Sequence, residues 1–201
     1  MLSSSFVCNI FFPHEKELSR KIVHIGSGPI IPLAWWLNIS SLIAIPLACI
    51  ITIALCLNYR FKLLPSIENV ERKSFGTIAY GLSITILIIF FWENRPDAVT
   101  AGVLMMAFGD GLAGLIGPKI KSPSWLIMGQ RKSLIGTLTM GITGIIILAA
   151  INQVTGLHLE LVDILTITSL AVLLEQISPW GIDNITVPIG VAISWQYILL
   201  N

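Results

Sequence analysis

The chain has 201 residues, of which 55% are hydrophobic and 11% are charged, and its formal net charge is +1. Mean hydropathy is +0.86, well above that of ordinary soluble domains, and there is too little polar surface to cover a globular fold in water. This composition excludes an ordinary soluble protein, and the near-zero net charge gives no support for nucleic-acid binding.

The amino-terminal residues 1–12 lack the positive residues, the long apolar core and the small-residue cleavage site of a secretory signal, so we expect them to stay attached. The three cysteines, Cys8, Cys49 and Cys56, have no CxxC spacing. We interpret them as packing residues, because buried cysteine usually behaves as a small apolar side chain.

Seven apolar stretches approach the roughly 20 residues that a membrane helix needs. In chain order they are 22–37, 41–57, 76–92, 97–117, 134–151, 160–177 and 184–200. Only Asn38, Ile39 and Ser40 separate the first two, which predicts a tight helical hairpin. No linker or internal repeat divides the chain. We therefore predict an all-α, polytopic transmembrane helical bundle, formed by a single membrane-embedded domain over residues 1–201.

Basic residues predict the orientation of this bundle, because short cytoplasmic loops are enriched in Lys and Arg. Eleven of the 12 basic residues precede the first span or lie in the loops before the third and fifth spans. Arg95 alone lies on the other side. We therefore expect a cytoplasmic amino terminus, an outward-facing carboxyl end, and two long cytoplasmic loops at 58–75 and 118–133.

The fourth span contains the most informative segment, AFGDGLAGLIG at residues 107–117. A carboxylate at membrane depth is costly unless it is paired, hydrated or bound to a metal, so Asp110 is a candidate functional residue. Asp110 shares a helical face with Ala113, Gly114 and Gly117, where a ligand or another backbone can approach closely. The alternative is a small-residue packing face that carries a hydrated carboxylate.

Residues 109–114 also match GxGxxG, the pattern of dinucleotide-binding loops. That pattern requires a preceding strand within a soluble βαβ unit, whereas only membrane helices are predicted around it. We therefore reject a dinucleotide-binding site here.

A phosphate site is predicted at the entry to the fifth span, where residues 131–137 read RKSLIGT. Ser133 is a suitable N-cap, the helix amino end offers free N–H groups, and Lys132 adds positive charge. The segment is not a Walker A loop, because the glycine that precedes Lys-Ser in that motif is missing. A basic flank with an ordinary helix cap remains the alternative.

Further polar residues are predicted on the same cytoplasmic side. Glu175 lies in the last turn of the sixth span, where the helix dipole disfavours a carboxylate and capping offers no explanation. Asp183 and Asn184 begin the seventh span and could equally be capping residues. The remaining candidates, for which interfacial anchoring or local ion pairs are the alternative, are Arg20, Lys21, His24, Glu71, Arg72 and Lys73.

These residue types fit phosphoryl transfer, which needs a metal ion and cations around the phosphates and a group that orients the acceptor. Mg²⁺ prefers one or two carboxylates together with phosphate oxygens and waters. A cytosolic nucleotide and a membrane-dissolved alcohol would meet at this site. The sequence contains no His/Cys cluster with zinc spacing and no Ser-His-Asp arrangement.

Five segments resemble the phytol kinase and dolichol kinase family, which is related to membrane CTP:phosphatidate cytidylyltransferases. They are RKIVHIG at 20–26, ERKSFGTIAY at 71–80, AFGDGLAGLIG at 107–117, RKSLIGT at 131–137, and Glu175 with DNITVP at 183–188. The resemblance covers most of the chain in order, and GDG together with Lys-Ser-x-x-Gly is its most specific part. It implies a CTP-dependent kinase for phytol, farnesol, geranylgeraniol or dolichol, feeding prenyl-phosphate pools such as those used for tocopherol, while the carboxylates described above predict Mg²⁺ as its metal.

Residue chemistry and resemblance together give an expected site that faces the cytoplasm. The catalytic residues are Asp110, Lys132 and Glu175; the nucleotide-binding residues are Gly109, Gly111, Arg131, Lys132, Ser133, Gly136, Arg72 and Lys73; the metal ligands are Asp110, Glu175 and Asp183; the supporting residues are Arg20, Lys21, His24, Glu71 and Asn184.

The chain departs from the family pattern at two positions, where the resemblance implies an acidic residue but this sequence has Gly114 and Ile135. Glu175 and Asp183 would have to compensate for a missing second carboxylate on the fourth span. Two other functions are considered. A cytidylyltransferase acting on a lipid phosphate would carry a longer charged signature near its carboxyl end, which is missing. A small transporter would show inverted repeats and polar residues from both halves at mid-depth.

Overall fold

The computed structural model describes residues 16–61 and 75–200, with side chains from residue 21 onward. Its helices are α1 (Lys16–Ser27), α2 (Ile30–Trp36), α3 (Ser41–Phe61), α4 (Gly76–Phe91), α5 (Pro96–Leu104), a π-helical segment (Met105–Asp110), α6 (Gly111–Ile116), α7 (Leu134–Thr155), α8 (Leu161–Ile177) and α9 (Asp183–Leu200). Two short strands, β1 (Ser124–Ile127) and β2 (Gln130–Ser133), lie between α6 and α7. The predicted helical architecture is confirmed, and the strands are an addition to it.

Three stretches of helix in the described part are long and apolar enough to cross a membrane. They are α3, the continuous helix Pro96–Ile116 formed by α5, the π-helical segment and α6, and α7. Helix α4 is a shorter apolar helix of 16 residues. Leucine and isoleucine side chains are exposed along α3, as expected for a surface that faces lipid rather than water.

The continuous helix Pro96–Ile116 lies at the centre of the bundle. Its first part, α5, is buried over most of its length and packs against α2, α4, α7 and α9. The backbone of α9 approaches so closely that a Cβ atom at Gly102 would overlap the carbonyl oxygen of Pro188. Small residues allow this approach, because in lipid helix association depends on close backbone packing.

The central helix changes from α-helical to π-helical geometry in the turn that ends at Asp110. Met105–Asp110 form a π-helical segment, a feature that inserts an extra residue into a turn and is frequent at functional sites. The segment packs against α7, where Gly109 lies beside Met140. The regular helix resumes at Gly111, so Asp110 stands at the junction between the two geometries.

The prediction of one continuous helix over 22–37 was wrong, because the first span is divided into α1 and α2 at Gly28 and Pro29. A Cβ atom at Gly28 would lie 2.6 Å from the Cβ of Ala107, so α1 ends where it touches the central helix. Proline lacks a backbone N–H and favours a new helical start. The predicted tight turn between α2 and α3 is confirmed, since the N–H of Ile39 donates to the carbonyl of Ala34 at 3.0 Å.

The region 118–133, expected as a loop, contains an antiparallel hairpin. Trp125 pairs with Lys132 and Leu126 pairs with Arg131. The turn residues Met128 and Gly129 both have positive φ angles, 47° and 77°, as a two-residue type I′ turn requires. The hairpin runs directly into α7, so its second strand fixes the position of Lys132.

Candidate active site

A lysine–carboxylate pair joins α1 to the central helix. The ammonium of Lys21 lies 2.8 Å from Oδ2 of Asp110 and also donates to the backbone carbonyl of Asp110 at 3.3 Å. Both side chains are largely buried, with exposed fractions of 10% and 13%. Sequence reasoning singled out Asp110 and gave Lys21 a supporting role, but the pairing itself depends on how α1 packs on α6.

A second lysine–carboxylate pair joins β2 to the end of α8. The ammonium of Lys132 is in contact with Oε1 of Glu175 and donates to the backbone carbonyl of Glu175 at 3.0 Å. This pair is also largely buried, with exposed side-chain fractions of 11% and 9%. The ammonium also meets the α8 carboxyl end, where a positive charge complements the helix dipole.

Gln176 donates a hydrogen bond to Glu175 of the second pair. The sequence did not single out this residue. Its Nε2 donates to Oε2 of Glu175 at 2.9 Å and to Oγ1 of Thr137 at 3.0 Å. Its Oε1 accepts from Nε1 of Trp125 at 3.1 Å. The only sequence signal was an uncharged polar residue beside Glu175 in the last turn of an apolar helix.

Asp183 and Asn184 form a third, differently arranged group at the start of α9. Oδ1 of Asp183 accepts from the backbone N–H and from Nδ2 of Asn184, both at 3.0 Å, and Nδ2 also donates to the carbonyl of Gly181 at 3.1 Å. Asn184 is 3% exposed, and its Oδ1 has no hydrogen-bond partner within the described part of the chain. Both partners of Nδ2 are acceptors, which fixes the orientation of this amide.

These groups form one electrostatic cluster. Asp183 lies within electrostatic range of Lys21, Asp110, Lys132 and Glu175, and Asp110 lies within range of Lys132. Five charged residues from α1, the central helix, β2, α8 and α9 are thus brought together, with three carboxylates and two ammonium groups. Two of the predicted carboxylates, Asp110 and Glu175, each contact a lysine from another element, whereas a shared site and the individual catalytic roles stay predictions.

The cluster fits a divalent cation only in part. Within residues 16–61 and 75–200, no three His, Cys, Asp or Glu side chains are arranged to hold a metal ion. Asp110 and Glu175 are each paired with a lysine, whereas the described residues give Asp183 no lysine or arginine contact. The oxygens of Asp183 and Asn184 are hard donors of the kind that Mg²⁺ prefers when phosphate and water complete its coordination.

The predicted helix start at Ser133 is present in the structure, and phosphate binding there stays a prediction. Ser133 is the N-cap of α7, and its Oγ accepts from the N–H of Gly136 at 3.2 Å. The expected participation of Gly136 in nucleotide binding stays a prediction, because in the structure it packs against Gly117 of the central helix. Close contact between these two glycines joins the α7 amino end to the carboxyl end of the central helix.

Other predicted residues have contacts that differ from their expected roles. Arg131 lies on the face of β2 opposite Lys132, and its guanidinium donates to Ser124 Oγ at 3.0 and 3.1 Å. Gly111 packs against Ile25 of α1, and Gly109 packs against α7. The nucleotide-binding roles of these residues therefore rest on the sequence alone.

Some predicted residues cannot be assigned a position. Glu71, Arg72 and Lys73 lie outside the described residues, and the side chain of Arg20 is also outside them. His24 is described, and its ring lies 3.9 Å from that of Tyr80, whose hydroxyl accepts from Ser27 at 3.2 Å. Sequence reasoning missed Ser27 and Tyr80.

The departure at Gly114 has a direct structural counterpart. A Cβ atom at Gly114 would overlap the end of the Lys21 side chain. The space that a second carboxylate on the central helix would need is therefore filled by the lysine that pairs with Asp110. Glycine at position 114 therefore leaves the room in which Lys21 pairs with Asp110.

Comparison with known proteins identifies the family. The chain is 39% identical over 183 residues to the phytol kinase of Synechocystis sp., covering 89% of this chain and 78% of that protein. The chain belongs to the phytol kinase family. It is 30% identical over 147 residues to the probable phytol kinase 1, chloroplastic, of Oryza sativa, and 28% identical over 145 residues to the farnesol kinase, chloroplastic, of Arabidopsis thaliana.

Family membership makes the chain a kinase of the alcohol phosphotransferase type. The alignment covers 67% of this chain but 46% of the rice phytol kinase, and 65% of this chain but 46% of the Arabidopsis farnesol kinase. This chain therefore spans less than two thirds of those plant relatives. No protein-family model matches the chain, and no solved structure matches it significantly.

Proposed function

We propose that this phytol kinase family member transfers the γ-phosphoryl group of CTP to the hydroxyl of a membrane-dissolved prenyl alcohol of the phytol, farnesol or dolichol type. The products are CDP, the prenyl monophosphate and a proton. The observation that carries the proposal is the buried cluster of Lys21, Asp110, Lys132, Glu175 and Asp183, in a chain whose relatives are named phytol kinase and farnesol kinase.

The two lysines supply the positive charge that phosphoryl transfer requires. Catalysis of this reaction depends mainly on positioning and on electrostatic stabilisation of the phosphates. We propose that phosphate oxygens replace the carboxylate oxygens as partners of Lys21 and Lys132 when nucleotide binds. The Ser133-capped start of α7 would hold a phosphate oxygen as well, in place of the oxygens that now accept from the N–H groups of Leu134, Ile135 and Gly136.

A divalent cation, when bound, would neutralise the nucleotide phosphates. The residues proposed to hold it are Asp110, Glu175 and Asp183, with the unpaired Oδ1 of Asn184 as a further oxygen donor. Release of Asp110 and Glu175 from their lysines would make these two carboxylates available in the nucleotide complex. The acceptor hydroxyl would lose its proton to a carboxylate of this cluster as the new P–O bond forms.

The proposed membrane arrangement has seven spans, a cytoplasmic amino terminus and a cytoplasmic site in a single domain over residues 1–201. Lys21, Asp110, Lys132, Glu175 and Asp183 all belong to the end of the bundle that carries the basic loops in the sequence. Arg95, which belongs to the opposite end, pairs with Asp97 at 2.7 Å instead. This distribution supports the positive-inside orientation. The lipid bilayer, a prenyl alcohol and a nucleotide are the proposed partners.

The test is to incubate membranes that contain the expressed protein with phytol or farnesol and CTP labelled in either its α- or γ-phosphate. We expect γ-label in a lipid monophosphate, no lipid label from α-phosphate, and loss of transfer when EDTA removes Mg²⁺. Label from the α-phosphate in a lipid product would instead support the cytidylyltransferase alternative. The transporter reading is not retained, because the relatives are named as kinases.

A further inference from the structure

The β1–β2 hairpin has two faces with different surroundings. One face carries Trp125 and Lys132, which bind the end of α8 through Gln176 and Glu175. Because side chains alternate across a strand, Leu126 and its partner Arg131 lie on the other face. The described contacts therefore hold the hairpin through its Trp125 face and, at its base, through Ser133, whose Oγ donates to the carbonyl of Gly117.

The outward face and the turn of the hairpin each expose one large apolar side chain. Leu126 is 72% exposed and Met128, in the turn, is 65% exposed. On α3 and α7, exposed leucines lie on helices that are long and apolar enough to cross a membrane. Leu126 instead belongs to β1, and the two strands of the hairpin, with four residues each, are too short to span a bilayer.

Exposed basic residues accompany the apolar side chains of the hairpin region. Lys119 and Lys121 precede β1 and are exposed, and Arg131 is exposed beside Leu126. The guanidinium of Arg131 contacts the neutral hydroxyl of Ser124, and no salt bridge to any of the three occurs within the described residues. Basic residues beside a membrane helix are attracted to anionic lipids.

Chain connectivity places the hairpin at a membrane surface. Its first strand begins eight positions after the central helix ends at Ile116, and its second strand ends directly before α7 begins at Leu134. Both helices are long and apolar enough to cross a membrane. The hairpin can therefore lie no further from the bilayer surface than these short connections allow.

We infer that the outward face of the hairpin binds the lipid surface, with Leu126 and Met128 among the acyl chains and Lys119, Lys121 and Arg131 on anionic phosphate headgroups. This arrangement is typical of interfacial anchors that combine apolar insertion with basic residues. Since Lys132 lies on the same hairpin, lipid contact would also steady the ammonium that pairs with Glu175. The inference depends on membrane insertion and not on the proposed reaction.

The test uses a fluorescent probe attached to Met128→Cys in the full chain, with Cys8, Cys49 and Cys56 replaced by serine. The protein is reconstituted without nucleotide in vesicles of phosphatidylcholine, alone or with added phosphatidylglycerol. We expect brominated lipid to quench roughly half of the signal, because interfacial side chains sit about 5–10 Å into the headgroup boundary. Phosphatidylglycerol should strengthen the quenching and reduce access of aqueous iodide.

Two controls sharpen the test. A probe at Asn94→Cys, in the exposed turn at the other end of the bundle, should not respond to phosphatidylglycerol. Lys119→Gln combined with Lys121→Gln should remove the response of the Met128 probe. Leu126→Cys provides a second labelling site on the outward face.

Three results would overturn the inference. The first is equal iodide access at positions 128 and 94 in both lipid mixtures. The second is shielding from iodide without quenching by brominated lipid, which would mean that a protein or a second copy of the chain covers the hairpin. The third is an unchanged phosphatidylglycerol response in the double lysine variant.

Discussion

The charged residues of the site are balanced in pairs. Lys21 pairs with Asp110, and Lys132 pairs with Glu175, and all four side chains are largely buried. A buried ion pair adds little net stability over apolar residues of the same size, but removing one partner leaves a costly unpaired charge. The two pairs are therefore better explained by function than by folding.

If the pair serves function, replacing both Lys132 and Glu175 should restore stability but not kinase activity. Lys132→Met should lower the free energy of unfolding by about 3–5 kcal/mol, because the Glu175 carboxylate stays buried without its partner. Adding Glu175→Met should restore most of that stability, since two apolar side chains replace the pair. Kinase activity should be lost in both variants.

Thermal unfolding in detergent and label transfer from CTP measure the two properties separately. A double variant that regained activity along with stability would show that the pair has only a structural role. A matched control is Arg95→Met with Asp97→Met, which removes the salt bridge at the other end of the bundle. That pair should affect stability without affecting the site directly.

Among the helices, the closest packing occurs where small residues meet. Gly102 faces the backbone carbonyl of Pro188, whereas Gly141 in α7 has no atom within 4 Å of where a Cβ would stand. Both are helical glycines, so alanine should improve the intrinsic helix propensity at each by about 1 kcal/mol. Only at Gly102 does the added methyl group meet backbone that cannot easily move.

Gly102→Ala should therefore destabilise the protein by about 1–3 kcal/mol through overpacking between α5 and α9. Gly141→Ala should be neutral or slightly stabilising. Thermal unfolding of the two variants in the same detergent checks this. Equal melting temperatures would contradict the close contact between α5 and α9.

The sequence allowed most helices to be predicted, because long apolar stretches leave few alternatives to a membrane helix. It failed at Gly28–Pro29, where contact with Ala107 ends α1, and in the π-helical turn before Asp110. Neither the helix break nor the π-helical turn changes the hydrophobic periodicity of the sequence in a recognisable way. The hairpin was also missed, although the turn residue Gly129 gave a weak signal.

The membership of the site could be predicted for residues whose chemistry is unfavourable in lipid. Asp110 and Glu175 are carboxylates in apolar helices, so their presence alone required an explanation. Gln176, Tyr80 and Ser27 could not be predicted, since uncharged polar residues are common in membrane helices. The Lys21–Asp110 pair spans 89 positions in sequence, and such partners are set by tertiary packing alone.

In the molecule as a whole, charge is distributed unequally between the two ends of the bundle. This asymmetry predicts that Lys119→Cys is labelled by an impermeant maleimide only after the cytoplasmic side is opened. Asn38→Cys, in the turn between α2 and α3, should be labelled from the outside in intact cells. The native cysteines are replaced beforehand, and labelling of both positions from one side would contradict the proposed seven-span arrangement.

The central claim is that the lysine–carboxylate cluster at one end of the bundle performs phosphoryl transfer. It is tested most directly by γ-phosphate transfer from CTP to phytol, comparing the unmodified chain with Asp110→Asn and with Glu93→Gln, an exposed residue of the opposite end. We expect Asp110→Asn to reduce transfer by about 100-fold or more in protein that remains folded by size exclusion, since preorganised charges contribute on that order, while Glu93→Gln transfers at the unmodified rate. Undiminished transfer by Asp110→Asn would contradict the claim.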